Sequence, residues 1–263
     1  MRNNHEIDYR IYGEEMQFVE VELDPNETAV AEAGSFMMMD EGVQMQTIFG
    51  DGTQQQSGIL GKLWGAGKRL LTGESLFMTA YTNVVQGKRK VSFASPYPGK
   101  IIAMDLMLLG GKIVCQKDSF LCAAKGVSVG IEFQRRLGTG LFGGEGFIMQ
   151  KLEGDGMAFV HAGGHVFERE LQVGELLKVD TGCIVAFTRG VDYDIQFVGG
   201  IRNTIFGGEG LFFATLRGPG KVWIQTLPIS RLASRILSYG TTNRKEEGSI
   251  LGGLGNLLDG DGR

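Results

Sequence analysis

The sequence predicts an all-β protein built of three tandem β-units in a pseudo-threefold arrangement, followed by a short C-terminal helix. Three observations support this. Glycine makes up 42 of 263 residues, about 16% where roughly 7% is usual, as expected of a chain with many tight turns. Apolar and polar residues alternate over several short stretches, as in half-buried antiparallel strands. One segment of sequence also occurs three times along the chain.

The repeated segment runs from a turn residue to a valine. The separation of the two is 17 positions in every copy: Asn26 to Val43, Gly110 to Val127, and Gly174 to Val191. A Gly-Glu step follows each copy, and its glutamates are Glu74, Glu145 and Glu209. This step comes later after the first copy than after the other two, so the first copy carries an insertion. The ungapped match indicates that one β-module was triplicated.

Alternation within the copies predicts the strands. Val19, Val21 and Leu23 alternate with acidic residues, and the same period of two recurs over 127–134 and 192–197. We therefore expect β-units over 6–97, 98–163 and 164–227, with the insertion at about 49–70. Each unit alone would leave open sheet edges, so we expect neighbours to pair their edges and a closed ring to remove them.

The end of the chain breaks the β pattern. Pro228 suits the first turn of a helix. The apolar residues behind it recur at helical spacing, at Ile229, Leu232, Ala233, Ile236 and Leu237. Residues 228–263 are thus predicted to form an amphipathic helix and a flexible Gly-rich tail.

Charge and hydropathy exclude several classes of protein. The chain has 26 basic and 30 acidic residues and a net charge of −4, which argues against nucleic-acid binding. No run approaches the roughly 20 apolar residues that a membrane span needs, and Phe36-Met37-Met38-Met39 is among the longest. The N-terminus lacks the pattern of a secretory signal, so we expect a cytoplasmic protein.

The Gly-Glu steps, the segment from Gly174 to Phe187 and the Gly-rich end resemble the altered-inheritance-of-mitochondria, or mitochondrial biogenesis, family in its bacterial branch. The resemblance covers about Glu6 to Leu237. It implies a fold similar to the tryptophan RNA-binding attenuation protein: three fused units, each a β-sandwich or short double-stranded β-helix (TRAP-like). The family brings no established catalytic residues to transfer. Its eukaryotic relatives are linked broadly to mitochondrial inner-membrane organisation, a location that this chain is not expected to share.

Catalytic and metal-binding chemistry find little support. His161 and His165 have the spacing of zinc ligands on a helix, but the two glycines between them are not helical, and no metal site is predicted. Cys115, Cys122 and Cys183 lie in apolar surroundings without a partner base, which is typical of small buried side chains. We expect no cofactor and no enzymatic activity.

The three Gly-Glu steps are the first candidate site. They lack the lysine and hydroxyl of a phosphate-binding loop. We expect tight turns whose glutamates pair with nearby cations between units: Glu74, Glu145 and Glu209 with Arg69, Arg136 and Arg202. The alternative is that the three carboxylates converge near the pseudo-threefold axis and hold a cation or a polar ligand.

The insertion is the second candidate site. Leu60, Leu63 and Trp64 stand among lysines and glycines there, which suits contact with a partner or peripheral contact with a membrane surface. The alternative is that the insertion folds back over an open end of the first unit.

Taken together, the sequence predicts a non-enzymatic structural scaffold or protein-interaction module. Its expected partners are other proteins or further copies of itself in a homo-oligomer. The alternative is a small-ligand or RNA-binding module that uses clefts between the β-units.

Overall fold

The structure is a computed structural model that describes residues 6–49, 77–135, 147–197, 212–237 and 239. Antiparallel β-sheets and one short C-terminal helix form the described part of the chain, as the sequence predicts. An N-terminal strand, β1 (Asp8–Tyr12), precedes three successive sets of six strands. That first strand lies outside the sequence repeat, and the repeat does not predict it.

The three sets follow one another along the chain. Set one contains β2 (Phe18–Leu23), β3 (Thr28–Glu32), β4 (Phe36–Met39), β5 (Val43–Phe49), β6 (Phe77–Asn83) and β7 (Arg89–Ala94). Set two contains β8 (Gly99–Asp105), β9 (Lys112–Gln116), β10 (Phe120–Ala124), β11 (Ser128–Arg135), β12 (Phe147–Glu153) and β13 (Met157–Gly163). Set three contains β14 (Val166–Leu171), β15 (Leu176–Asp180), β16 (Ile184–Thr188), β17 (Asp192–Phe197), β18 (Phe212–Arg217) and β19 (Gly220–Gln225). Helix α1 follows and includes residues 229–237.

Strand pairing is the same in every set. In set one β7 lies between β2 and β4, and β6 lies between β3 and β5. Set two repeats this with β13 and β12 in the central places. Set three repeats it again with β19 and β18. Each set therefore contributes two three-stranded sheets.

Two local features recur at equivalent positions. The residue in the turn before the second strand of each set has a left-handed φ: 70° at Asn26, 83° at Gly110 and 77° at Gly174. The third strand of each set carries a β-bulge, which falls between Phe36 and Met38, between Phe120 and Cys122, and between Ile184 and Ala186. A bulge places one extra residue in a strand and bends it.

Neighbouring sets join by pairing sheet edges. Strand β3 of set one pairs with β10 of set two, and β9 of set two pairs with β16 of set three. The result is two continuous six-stranded sheets flanked by a four-stranded sheet, β1-β2-β7-β4, and a three-stranded sheet, β15-β18-β17. Within the described residues β4 and β15 do not pair with each other, so strand pairing there does not close the predicted ring.

The core runs across these junctions. One hydrophobic cluster contains Val30 of β3, Cys115 of β9 and Val185 of β16, so it draws on all three sets. The alternating residues that predict β2 point inward, and Val19, Val21 and Leu23 are completely buried. Helix α1 forms where the sequence predicts it. Part of its apolar face stays exposed, at Ile229, Ile236 and Leu237.

Candidate functional site

Strand β4 is the most unusual surface of the described chain. Its four consecutive side chains, Phe36, Met37, Met38 and Met39, are 39–47% exposed. A continuous apolar run is typical of a strand in the middle of a sheet with both faces covered. Here the run occupies the outer strand of its sheet, with apolar side chains on both faces.

Pairing with β7 and one aromatic contact hold β4 in place. It pairs with β7, so that Met38 lies opposite Ser92 and Met39 opposite Val91. The ring of Phe36 stacks on Tyr81 of β6, with ring centroids 5.5 Å apart. The strand is thus fixed along its inner edge, while its outer backbone edge has no strand partner among the described residues.

A polar depression adjoins the end of β4. The carboxylate of Asp40 accepts a hydrogen bond from the Lys90 backbone N–H at 2.9 Å. The Nε of Arg89 donates to the carbonyl oxygen of Glu41 at 3.0 Å. With Gly42 and Val85 these residues line an open cavity of about 560 Å³. All of its lining residues belong to set one, so the depression is not a cleft between sets.

Strand β15 is the corresponding edge at the other end of the three sets. It pairs with β18 on one side, and its outer side has no strand partner in the described part of the chain. Leu176 is 53% exposed and Lys178 is exposed, whereas Val179 is buried. At the end of the strand, Arg231 of α1 lies 3.6 Å from the carboxylate of Asp180.

The buried titratable groups are held in their neutral forms. His161 lies on β13, and its Nε2 donates to the carbonyl oxygen of Tyr97 at 3.1 Å. Burial lowers the pKa of His161 to about 4, although that hydrogen bond opposes the shift. Burial also raises the pKa of the thiols of Cys115 and Cys122, which keeps them protonated and poorly nucleophilic.

Many basic side chains of the described chain lie against carboxylates. Lys88 contacts Glu22, and Lys90 contacts Glu20 at 2.8 Å. The further pairs are Lys112 with Glu132, Lys151 with Glu153, Arg169 with Glu175, and Lys221 with Glu168. A cation already paired in this way offers less attraction to a phosphate backbone.

Two classes of feature are absent from the described ranges. There, no group of three or more histidine, cysteine, aspartate or glutamate side chains is placed to hold a metal ion. Likewise no helix among those residues has the length and hydropathy to cross a membrane.

The site residues predicted from the sequence fall outside the described residues. They are Glu74, Glu145 and Glu209, the cations Arg69, Arg136 and Arg202, and the insertion residues Leu60, Leu63 and Trp64. The predicted ion pairs and the predicted contact surface therefore stay predictions. All three Gly-Glu steps lie in corresponding connections: between β5 and β6, between β11 and β12, and between β17 and β18.

Comparison with known proteins places the chain in a family. Residues 9–227 match the family model described as mitochondrial biogenesis AIM24. The chain belongs to the AIM24 family. This confirms the resemblance expected from the repeats, and the match begins in β1 and ends just after β19.

Relatives of this AIM24 chain occur in streptococci. An uncharacterised protein of Streptococcus pyogenes serotype M6 is 33% identical over 230 residues, covering 85% of this chain and 88% of the relative. A crystal structure of a Streptococcus pyogenes protein, solved as a structural genomics target, has a TM-score of 0.70 at 26% identity. It covers 89% of this chain and 99% of the other. Neither description states a function.

The exposed edge of β4 is the surface that sequence reasoning missed. In the sequence, Phe36-Met37-Met38-Met39 stands out only as an apolar run too short to span a membrane. A signal was nevertheless present: Met38 aligns with Cys122 and Ala186 in the other copies, so a large flexible side chain stands where the others are small. A difference at one position of otherwise similar repeats points to a different neighbour.

Proposed function

We propose that this AIM24 protein is a non-enzymatic structural scaffold or protein-interaction module, and that it binds protein through the exposed edge of β4. One observation carries the proposal. Four consecutive apolar side chains are exposed on β4, whereas the equivalent strands β10 and β16 are almost entirely buried. A strand with the composition of a sheet centre is suited to being covered by another strand.

The physical chemistry of such an edge favours a protein partner. An outer strand offers a row of backbone N–H and C=O groups that another strand can complete. The side chains of Met37, Met38 and Met39 are flexible and polarisable, and they adapt to the surface of a partner. Natural edges exposed to water are usually protected by charge or proline, and β4 has neither.

Three further observations support binding over catalysis. His161 is buried and neutral near physiological pH, so it is poorly suited to proton transfer with a solvent-borne substrate. The buried thiols are held protonated. Many basic side chains are paired with carboxylates, which supports a protein partner rather than a nucleic-acid partner. We propose a cytoplasmic location on the grounds given by the sequence.

The same proposal includes a TRAP-like arrangement of the three sets of strands. The three sets share their strand pairing and the position of their bulges. Equivalent junctions between equivalent units are expected to repeat one rotation, as in a ring of subunits. We infer that one such rotation relates set one to set two and set two to set three, and that it leaves β4 and β15 of the same chain unpaired.

Site-specific photo-cross-linking in the native cell tests the proposed function. A benzophenone amino acid is placed at Met37, in the exposed edge, and in a control protein at Leu108, an exposed residue in the turn after β8. We expect covalent protein adducts from position 37 and none, or different ones, from position 108. The same low background at both positions would contradict binding through β4.

The ligand-binding alternative has its own test. A thermal-shift screen with amino acids, nucleotides, short RNA and divalent cations measures whether any of them raises the melting temperature by mass action. We expect no shift. A shift that saturates with ligand concentration would favour a small-ligand or RNA-binding module instead.

A further inference from the structure

The two junctions inside the chain follow one rule. The third strand of a set pairs with the second strand of the preceding set: β10 with β3, and β16 with β9. Both pairs are antiparallel. Each joins two three-stranded sheets into one sheet of six strands.

The register of the two junctions is also the same. Cys122 lies opposite Ala31 at the first junction, and Ala186 lies opposite Cys115 at the second. Each pair occupies equivalent positions of the repeat, as the 17-residue spacing of the copies shows. All four residues are completely buried.

This rule leaves one strand over at each end of the chain. Strand β4 is a third strand with no preceding set, and β15 is a second strand with no following set. The other outer strands of the three sets, β5, β8, β11, β14 and β17, hold outer positions in every set, and β1 covers β2. In the described chain, only β4 and β15 are edges whose equivalents pair with a strand of another set.

The exposure of individual residues agrees with β4 and β15 being unpaired edges. Met38 is 44% exposed, while its equivalents Cys122 and Ala186 are 0% exposed. On the other edge Leu176 is 53% exposed, while its equivalent Thr28 is 2% exposed and its equivalent Lys112 is partly buried. Both edges therefore carry apolar surface that the internal junctions bury.

We infer that β4 of one chain pairs with β15 of a second copy, in the register of the internal junctions. This rests on the proposed function, and it names the partner of the β4 edge. Transfer of the register places Met38 opposite Val179 of the second copy, Met39 opposite its Lys178, and Asp40 opposite its Leu177. The new junction joins the four-stranded and three-stranded end sheets into one sheet of seven strands.

A second copy fits this edge better than an unrelated protein. Each chain carries both halves of the contact, and the chain already forms that contact twice with the same pairing. The chain's own β15 does not pair with β4 in the structure. Because the two surfaces differ, the contact is head to tail and leaves one free edge at each end. Such contacts build rings where the rotation closes and filaments where it does not.

The register gives a charge-based experiment. Met39→Lys would place a lysine opposite Lys178 of the second copy, and like charges directly opposite destabilise a strand pair. Light scattering of the full chain after size-exclusion chromatography measures the mass against 28.6 kDa for one chain. We expect the wild type to exceed this mass by whole multiples, and the Met39→Lys variant to fall to the mass of one chain.

Two further variants make the result specific. Lys178→Glu combined with Met39→Lys pairs opposite charges, and we expect it to restore the assembly. Met45→Lys adds the same charge at an exposed methionine of β5, away from the proposed junction, and should leave assembly unchanged. Circular dichroism and thermal melting confirm that each variant is folded.

Each remaining outcome overturns the inference. A wild type that keeps the mass of one chain at all concentrations would exclude self-pairing, as would normal assembly of Met39→Lys. Failure of the double variant to reassemble would exclude the register. Photo-cross-linking from Met37 to a different protein would then leave the proposed function standing without this partner, and absence of any adduct would remove both.

Discussion

His161 and Gln225 occupy equivalent positions on β13 and β19, and each hydrogen-bonds to backbone where the preceding set ends. His161 donates to the carbonyl oxygen of Tyr97, between sets one and two. Gln225 accepts from the Gly163 N–H, at the end of set two, at 2.7 Å. The same position of the repeat thus connects a set to the end of the preceding one, through a histidine in set two and a glutamine in set three.

This equivalence gives a prediction for pH. Burial lowers the pKa of His161 to about 4, below the 6.5 expected in the unfolded chain. The neutral ring therefore stabilises the fold above pH 6.5, and this contribution is lost as pH falls from 6.5 through about 4. His161→Gln keeps an N–H donor and has no such titration.

We expect urea unfolding at a series of pH values to show His161→Gln losing less stability than the wild type on acidification. The difference should approach about 3 kcal/mol at pH 4. If the free energy of unfolding changed with pH in the same way for the two proteins, the proposed lowering of the His161 pKa would be wrong.

Glu32 gives a pH prediction of opposite sign. Burial, aided by the negative charge of Asp118 and opposed by Lys117, raises the pKa of Glu32 to about 7. The protonated carboxyl is therefore favoured in the fold. The associated stability is present below the unfolded pKa near 4.5 and is lost as pH rises through about 7.

Glu32→Gln should therefore have a free energy of unfolding about 1–3 kcal/mol above that of the wild type at pH 8, and nearly the same free energy of unfolding at pH 4. Denaturation at these two pH values is the measurement. An unchanged or lower stability of the variant at pH 8 contradicts the assignment.

Gln225 is predicted to matter through its two buried hydrogen bonds. Besides accepting from Gly163, it donates to the carbonyl oxygen of Gly182 at 2.8 Å. Gln225→Leu leaves both backbone groups without this partner, and we expect a loss of about 2–4 kcal/mol in the free energy of unfolding. Gln196→Leu makes the same change at an exposed position of β17 and should cost less than about 0.5 kcal/mol. Equal stabilities of the two variants would refute the role of Gln225.

Gly163 is predicted to be irreplaceable because of close packing. A Cβ at this position would lie 2.0 Å from the backbone oxygen of Leu227 and 2.9 Å from the Tyr97 ring. Gly163→Ala should therefore destabilise the protein by about 3 kcal/mol. At Gly130 the nearest atom is the end of the flexible Lys151 side chain, at 3.2 Å, so Gly130→Ala is the matched control. Thermal unfolding of both variants measures the two losses of stability. A Gly163→Ala variant as stable as the wild type would show that the backbone at Gly163 and Leu227 can move apart at little cost.

Structural features that are local, or that recur in each copy of the repeat, are predicted well from the sequence. Alternation at Val19, Val21 and Leu23 predicts β2, because a period of two is itself a property of a half-buried strand. The aligned turn residues Asn26 and Gly110 share a left-handed φ, as the repeat indicates. The helix after Pro228 follows from its spacing in the same way.

Which strands pair with each other is not a local property, so the sequence patterns do not predict it. Met38 marks β4 as different from β10, but it does not show that β10 is covered by an earlier set while β4 is not. That difference depends on the position of each set in the chain. Strand β1 has no counterpart in the repeat, so it is predictable only from its pairing with β2.

Cross-linking of two single-cysteine substitutions tests the head-to-tail junction most directly. Met38→Cys and Val179→Cys are made in separate chains, with Cys183→Ser in both, then mixed and treated with a short bis-maleimide. Directly opposite residues in an antiparallel pair have Cβ atoms about 4.5–5.5 Å apart. The account predicts a covalent dimer containing one chain of each kind, none from either variant alone, and none when Met45→Cys replaces Met38→Cys. Absence of the mixed dimer, or a cross-link confined to one chain when both cysteines are in it, would contradict the account.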